Sequence, residues 1–345
     1  MKCAIAGAGV AGAVLSHVLR QKGVKFSIYG KATQTACGIR SCGWGVQESM
    51  LRLLKSIGID PTPFILSHHA TIRLGRITLP TSTYSIDKPE LIQQLLGSEK
   101  VDTAPPPLSD FDVVVDATGV RAYSPPANDE KIANTFQVHV KLPGKTQLKF
   151  DFIQGGYLWT IPLADGEAHI GGGSSSLASA EIERLVWKRV EEYKASEMCS
   201  CSDSIRFPEP SSSIVNGNVV AVGESAGLVI PYLGAGIYSA AESALITAQH
   251  IGAGNIQACE KAIRKRFGWL RGVREAVDML ENGKLPLSSL ISIHRALKYQ
   301  DAKPKLTDLV RLRETLLAAN RGVDSGPRLN VSDDNFQSFE HIRRG

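Results

Sequence analysis

Apolar and polar positions follow two periods along this chain, and the switches between them mark its elements. Residues 3–6 form a short unbroken apolar run, the pattern of a buried strand. Residues 11–22 carry apolar side chains at helical spacing and stop at Gly23, and 24–29 return to a strand. A helix is predicted over 47–57, and a Thr-rich extended stretch over 70–84. Asp87-Lys88-Pro89-Glu90 opens another helix, with Asp87 as N-cap, Pro89 in the first turn, and Leu91, Leu95 and Leu96 on one face. A proline-rich break follows at 104–107. Residues 111–116 then read as a fully buried parallel strand ending in Ala117-Thr118-Gly119. The alternation over 136–173 predicts antiparallel sheet, and 178–194 an amphipathic helix. Another buried strand is expected at 219–223, and mostly helix over 256–319. The polar tail from Arg321 is expected to be frayed or disordered.

The first thirty residues thus form a strand, Gly-rich turn, helix and strand. The turn is Gly7-Ala8-Gly9-Val10-Ala11-Gly12. Gly7 suits a tight turn, Gly9 a close backbone approach to a pyrophosphate, and Gly12 close packing of helix on strand. The helix start offers unpaired N–H groups and a positive dipole end to the diphosphate. Gly30 occupies the end of the second strand, where dinucleotide folds usually place an acidic residue for the ribose. The strand over 219–223 runs into Glu224 and then Gly234-Ala235-Gly236-Ile237, which opens a further helix. That return predicts one sheet completed by both ends of the chain. Its small residues either bring a helix N-terminus close to a cofactor or pack a core helix tightly.

Three of these segments together resemble the FAD-contact segments of para-hydroxybenzoate-hydroxylase-like flavoproteins: 7–12, 113–119 and 223–236. Between them, Tyr157-Leu158-Trp159-Thr160-Ile161-Pro162, followed after eight residues by Gly171-Gly172-Gly173, resembles the geranylgeranyl reductase pattern YxWxFPx8GxG, with Ile161 replacing Phe. Cys42-Gly43-Trp44-Gly45 is similar to that family's segment beside the flavin. The resemblance spans roughly residues 1–300. It departs at Glu224, where the family usually has Asp at the ribityl chain, at Gly30, and in shortened segments after Leu96 and Gly119.

The resemblance implies FAD as cofactor and a Rossmann-like α/β fold with a parallel sheet, an antiparallel substrate sheet and a helical C-terminal part. The expected boundaries are 1–130 with 205–254 for FAD, 131–204 for the substrate sheet, 255–320 for the helices and 321–345 for the tail. It assigns the cofactor to Gly7, Gly9, Val10, Ala11, Gly12, Arg40, Cys42, Gly43, Ala117, Thr118, Gly119, Gly223, Glu224, Gly234, Ala235, Gly236 and Ile237. Substrate falls to Tyr157, Trp159, Pro162, Gly171 and Gly173, and catalysis to Cys42, Tyr157 and Trp159. Tyr157 and Trp159 lie two apart on a strand and so face one side. They are either an aromatic wall for a polyprenyl chain or core aromatics of a sheet. Cys42 is either a positioner or proton source, or a small buried hydrophobe; Arg40 either meets the cofactor or lies on the surface.

The function implied is reduction of isolated double bonds in a polyprenyl (geranylgeranyl) chain of isoprenoid or archaeal membrane lipids. Its electrons would come from a ferredoxin-like carrier or NAD(P)H. The first alternative is a flavin monooxygenase or halogenase, since the aromatic motif is one residue from WxWxIP. The second is a flavin- or lipid-binding protein without turnover.

Charge and composition narrow this further. A net charge of +5 over 345 residues, with no nucleic-acid motif, makes no case for DNA or RNA. Six cysteines in so long a chain are no disulfide framework. Cys37 could pair with Cys42, while Cys199 and Cys201 are too close for an ordinary bridge. Their spacing matches no zinc or iron–sulfur pattern. No histidine pair has HxxxH spacing, and His68-His69 is expected in a solvated loop. No metal is expected. A start that runs straight into a core strand, with no long apolar stretch, implies a cytoplasmic protein without signal peptide. Residues 258–276 mix Lys261, Arg264, Lys265, Arg266, Arg271 and Arg274 with Phe267, Trp269 and Leu270. They form either a peripheral membrane contact or a solvated helix over the core.

Overall fold

The computed structural model describes residues 1–30, 42–119, 123, 131–207, 214–231 and 233–322. The chain begins with β1 (Cys3–Ala6), α1 (Val10–Gln21) and β2 (Phe26–Tyr29), then β3 (Gly45–Gln47), α2 (Glu48–Ser56), β4 (Ile65–Leu74) and β5 (Ile77–Ile86). Next come α3 (Lys88–Leu96), β6 (Val101–Asp102), β7 (Val113–Asp116), β8 (Lys131–Lys141), β9 (Lys149–Ile153), β10 (Gly156–Pro162) and β11 (Glu167–Ser174). The remainder is α4 (Ser179–Glu192), β12 (Ser196–Phe207), β13 (Val215–Asn216), β14 (Val219–Ala221) and five helices: α5 (Ile237–Gly252), α6 (Ile256–Phe267), α7 (Leu270–Glu281), α8 (Ser289–Tyr299) and α9 (Leu306–Asn320).

The first sheet runs β13-β14-β7-β1-β2-β6 and is parallel except at its β13 edge. β1 and β7 sit at its centre, which is why their sequences are uninterrupted apolar runs. β14 arrives more than a hundred residues after β7 and still pairs with it, so both ends of the chain complete one sheet. α1 and α5 pack on this sheet; Ala13, Val14 and Leu15 of α1 and Ala241 and Ala244 of α5 are fully buried. The Asp87 side chain caps α3 by accepting the Glu90 N–H at 3.0 Å.

The second sheet runs β12-β8-β11-β10-β9-β4-β5-β3. Its two faces differ. Phe136, Val138, Ile170 and Leu158 point to α4 and pack on Ile182 and Val186. The other face carries Tyr157, Trp159 and Ile161 toward α7, α8 and α9. The Thr-rich stretch after residue 70 is a hairpin rather than one strand, turned at Gly75. His68 and His69 lie on β4, not in a solvated loop, because the hydrogen-bonded ladder to β5 begins at Ile65. His69 is buried and its Nε2 bonds the Ser85 hydroxyl at 2.9 Å. Burial, with the His68 imidazole beside it, drives the His69 pKa down to about 4.

The basic 258–276 segment is two helices, α6 and α7, broken near Gly268. The apolar face of α6 (Cys259, Ile263, Phe267) enters the core. Arg264 pairs with Glu260, Arg266 with Glu242, and Arg274 donates to the Phe207 carbonyl at 2.6 Å. The first pair lies within α6; the other two tie α6 to α5 and α7 to the end of β12. The tail beyond residue 322 lies outside the described residues.

Candidate functional site

A cavity of about 940 Å³ opens between the two sheets, and its walls come from both ends of the chain. The turn after β1 forms one end. Gly7 has φ +118°, and a Cβ there would run into the Ala117 carbonyl and lie 2.9 Å from Thr118 N. A Cβ on Gly12 would strike the Gly7 carbonyl. A Cβ on Gly9 would meet nothing within 4 Å, because Gly9 faces the cavity. The motif thus divides its labour: two glycines let backbones pass, and the third leaves space for a ligand.

The helix starts are the second feature. α1 begins at Val10 with no capping side chain and no acid in its first turn. α5 begins at Ile237 with neither as well. Val10, Ala11, Ile237 and Tyr238 all line the cavity, so two uncapped N-termini with their positive dipole ends face one space. Buried helix starts without partners are sites for an anion or a polarised ring. Lys88, at the start of α3, adds the single ammonium among the described lining residues.

Ala117, Thr118 and Gly119 also line the cavity. Asp116, fully buried beneath them, accepts the Thr118 N–H at 3.1 Å, the Thr118 hydroxyl at 2.6 Å and the Ser225 hydroxyl at 3.1 Å. Glu224 reaches the cavity, but its Oε1 accepts the Arg206 N–H at 2.7 Å, and its Oε2 lies against Gly119. The longer carboxylate thus holds β12 to the turn after β14. The end of β2 carries no acid; beside Tyr29 and Gly30, Asp102 of β6 turns its carboxylate to the Ala104 N–H at 2.9 Å, and the segment 103–106 supplies the wall.

The aromatic motif forms the opposite wall. Tyr157, Trp159 and Ile161 line the cavity with Phe150, Leu233 and Leu297. Register explains the distal glycines. Trp159 faces Gly171 across β10 and β11, and a Cβ on Gly171 would overlap Trp159 Cζ2 and Cε2. The indole lies over that glycine and donates its Nε1–H to Gln137 Oε1 of β8 at 3.1 Å. Gly171 itself does not line the cavity, and neither do Gly12 and Gly223; all three act through close packing. Pro162 does not line it either, and its carbonyl accepts the Ser85 hydroxyl at 2.6 Å. Gly173 lines a smaller, separate cavity.

Cys42 and Gly43 approach this wall from the other side. A Cβ on Gly43 would run into Ile161 Cδ1 and lie 3.6 Å from Trp159 Cδ1. The next residue, Trp44, holds φ +61°, a left-handed conformation that costs a non-glycine residue of order 1 kcal/mol. Its ring packs edge-on against His169, with centroids 4.5 Å apart. His169 is fully buried, and neither ring nitrogen has a hydrogen-bond partner among the described residues. Burial, with His139 beside it, drives its pKa down to about 3, so it is a neutral packing residue at pH 7.

Of the cysteines, Cys42 and Cys201 are free thiols, so neither bridges its sequence neighbour, and Cys199 is disulfide-bonded. Burial, with Asp203 nearby, lifts the Cys201 thiol to about 11. Arg40 and Cys37 lie outside the described residues. Among the described residues no group of three or more metal-ligating side chains assembles, and no helix is long and apolar enough to cross a membrane. Sequence reasoning missed Gln47, Thr81, Thr83, Leu297, Gln300 and Ala302. The proline-rich break at 104–107 was read only as a break, yet residues 103–106 line the cavity, and α8 carries no local mark of facing it.

No family model matches the chain. Among curated proteins it is similar to uncharacterized protein MJ1182 of Methanocaldococcus jannaschii, 23% identical over 69% of this chain and 80% of the relative. Among solved structures it is similar to a geranylgeranyl bacteriochlorophyll reductase-like protein of Thermoplasma acidophilum. That match has a TM-score of 0.65 and 18% identity, over 91% of this chain and 98% of the other. HpxO of Klebsiella pneumoniae, solved with FAD and uric acid, matches with a TM-score of 0.63 and 16% identity, over 95% and 97%. PqsL of Pseudomonas aeruginosa, a probable FAD-dependent monooxygenase, matches with a TM-score of 0.59 and 14% identity, over 81% and 95%. The chain has the fold of these flavoproteins.

Proposed function

We propose that this protein is an FAD-dependent oxidoreductase that reduces isolated double bonds in a polyprenyl chain. The observation that carries the reading is the cavity's two-ended character. A glycine cradle with two uncapped helix starts lies at one end, and an apolar wall of Tyr157, Trp159, Phe150, Leu233 and Leu297 at the other.

FAD, when bound and reduced by two electrons, would supply a hydride to one alkene carbon. The N–H groups at the starts of α1 and α5 would hold its diphosphate and polarise its ring system. Gly9 would leave room for the diphosphate, with the turn over 117–119, which lines the same cavity, as a further contact. The aromatic wall excludes water and orients the chain. The faces of Tyr157 and Trp159 would stabilise the positive charge that develops on the carbon that accepts the hydride as the second alkene carbon takes up a proton. The proton for the second carbon would come from the Cys42 side of the wall. Lys88 fits an anionic group such as a prenyl diphosphate. Electrons reach the site from a ferredoxin-like carrier or NAD(P)H, and contact with the lipid substrate is at a membrane surface.

The test is spectroscopic. Protein carrying FAD is reduced anaerobically and mixed with a geranylgeranyl lipid or diphosphate. Recovery of the oxidised flavin bands with consumption of the alkene supports the reading; flavin that stays reduced overturns the substrate class. A monooxygenase reading rests on the likeness to HpxO and PqsL. Substrate-dependent NAD(P)H oxidation coupled to oxygen uptake would favour it.

A further inference from the structure

A second cavity, of about 70 Å³, lies behind the aromatic wall, between the sheet and helices α7 and α9. Its lining is mostly apolar, with Phe152, Val277, Leu280, Leu316 and Ala319 among the contributors. It meets the large cavity at two shared residues, Tyr157 and Ile205. Gly234 completes the partition. A Cβ there would overlap the Tyr157 hydroxyl and lie 3.3 Å from Ile205 Cδ1. The phenol therefore sits against bare backbone. Burial, with Cys42 nearby, raises its pKa, and among the described residues no hydrogen bond fixes it in place. Its ring is held by Phe150 and Trp159, with centroids at 5.6 and 5.8 Å. On the outer side, Lys131 forms ion pairs with Asp278 at 2.7 Å and with Glu281. The small cavity therefore has the Lys131–Glu281 ion pair in its outer wall and, among the described residues, an unpinned aromatic partition toward the site.

We propose that this small cavity is an end pocket for the branched apolar terminus of the substrate chain, and that Tyr157, Ile205 and Gly234 form its threshold. At roughly 10–15 Å³ per water-sized group, the space holds about five to seven such groups, room for the five carbons of one isoprenyl unit. Chains too short to reach the threshold gain nothing from it. The chain that reaches it gains one unit of apolar contact, and a longer one meets the ion pair. The proposal rests on the polyprenyl reading above.

The test measures binding, not turnover. Geraniol, farnesol and geranylgeraniol, each one isoprenyl unit longer than the last, are titrated into FAD-loaded protein and followed by perturbation of the flavin spectrum. Three variants are compared: Ala319→Leu and Ala133→Leu fill the pocket from opposite walls, and Leu280→Ala enlarges it. In the unsubstituted protein the step that enters the pocket is expected to tighten binding roughly tenfold. In either filled variant that step disappears while shorter alcohols bind as before; in Leu280→Ala it persists or grows. Filled variants that weaken every alcohol by one factor, or none, overturn the end pocket while leaving the polyprenyl reading intact. If no alcohol perturbs the flavin of the unsubstituted protein, the polyprenyl reading fails and takes the end pocket with it. Unchanged melting and FAD binding of at least one filled variant separate these outcomes from misfolding.

Discussion

Replacing Gly171 by alanine tests whether the distal glycines exist to seat the Trp159 indole. The new Cβ would overlap Trp159 Cζ2 and Cε2 and lie 2.8 Å from the Phe136 carbonyl oxygen. Trp159 is 4% exposed and its indole is tied to Gln137, so it can yield to the new Cβ only by giving up that bond and shifting toward the cavity it lines. Overpacking of this kind costs about 1–3 kcal/mol. Breaking the Trp159–Gln137 bond inside the sheet adds roughly 1–3 kcal/mol, because both polar groups stay buried. A loss of about 3 kcal/mol lowers Tm by roughly 4 °C in a chain of this size. Gly173→Ala is the control, because its Cβ would lie 2.9 Å from the Thr135 methyl, which can yield. That variant is expected to lose about 1 kcal/mol. Thermal melts and near-ultraviolet circular dichroism read both effects. Gly171→Ala should change the tryptophan signal and Gly173→Ala should not. If the two variants melt within about 1 °C of each other with identical spectra, the packing account of the motif is wrong.

The glycine cradle makes a sharper separation: Gly9→Val should keep the fold but weaken FAD binding at least tenfold by fluorescence titration, since its side chain enters open cavity. Equal affinity in this variant would remove the cofactor from that end. Thiol labelling should find Cys42 ahead of Cys3, Cys201 and Cys259, which are buried, the Cys3 thiol being pushed by burial to about 12. Added FAD should slow the Cys42 reaction, and labelling indifferent to FAD counts against its place in the site. Acid should weaken the fold through His169 and His69. Both have folded pKa values, about 3 and about 4, below the unfolded 6.5, so the unfolded state binds the extra protons. Their contribution is complete above pH 6.5 and is lost as pH falls toward those values, at about 1.4 kcal/mol per pH unit for each. The unfolding free energy from urea melts should therefore fall between pH 7 and pH 5 by about 2 kcal/mol less in His169→Phe than in the unsubstituted protein; an equal fall refutes the assignment.

Local chemistry in the chain determined much of this structure. The β1–turn–α1–β2 unit, the Asp87-capped α3, the central β7 and the return through β14 into α5 were all legible. Each depends on a period, a cap or a glycine within a few residues of itself. The pairing of Tyr157 and Trp159 on one face followed from strand alternation alone. Tertiary structure decided what those faces meet. The Trp159 indole depends on Gly171 one strand away and Gln137 two strands away, and register between strands is set by the whole sheet. Gln47 donates its side-chain N–H to the Tyr299 carbonyl at 3.1 Å, across 252 residues, and so α8 becomes a wall of the cavity. The histidines of β4 read as polar, but a strand ladder buried His69, because pairing with β5 fixes which alternate residues face inward. Periodicity says which side of an element is apolar. Only long-range docking says whether that side closes a core or lines a cavity.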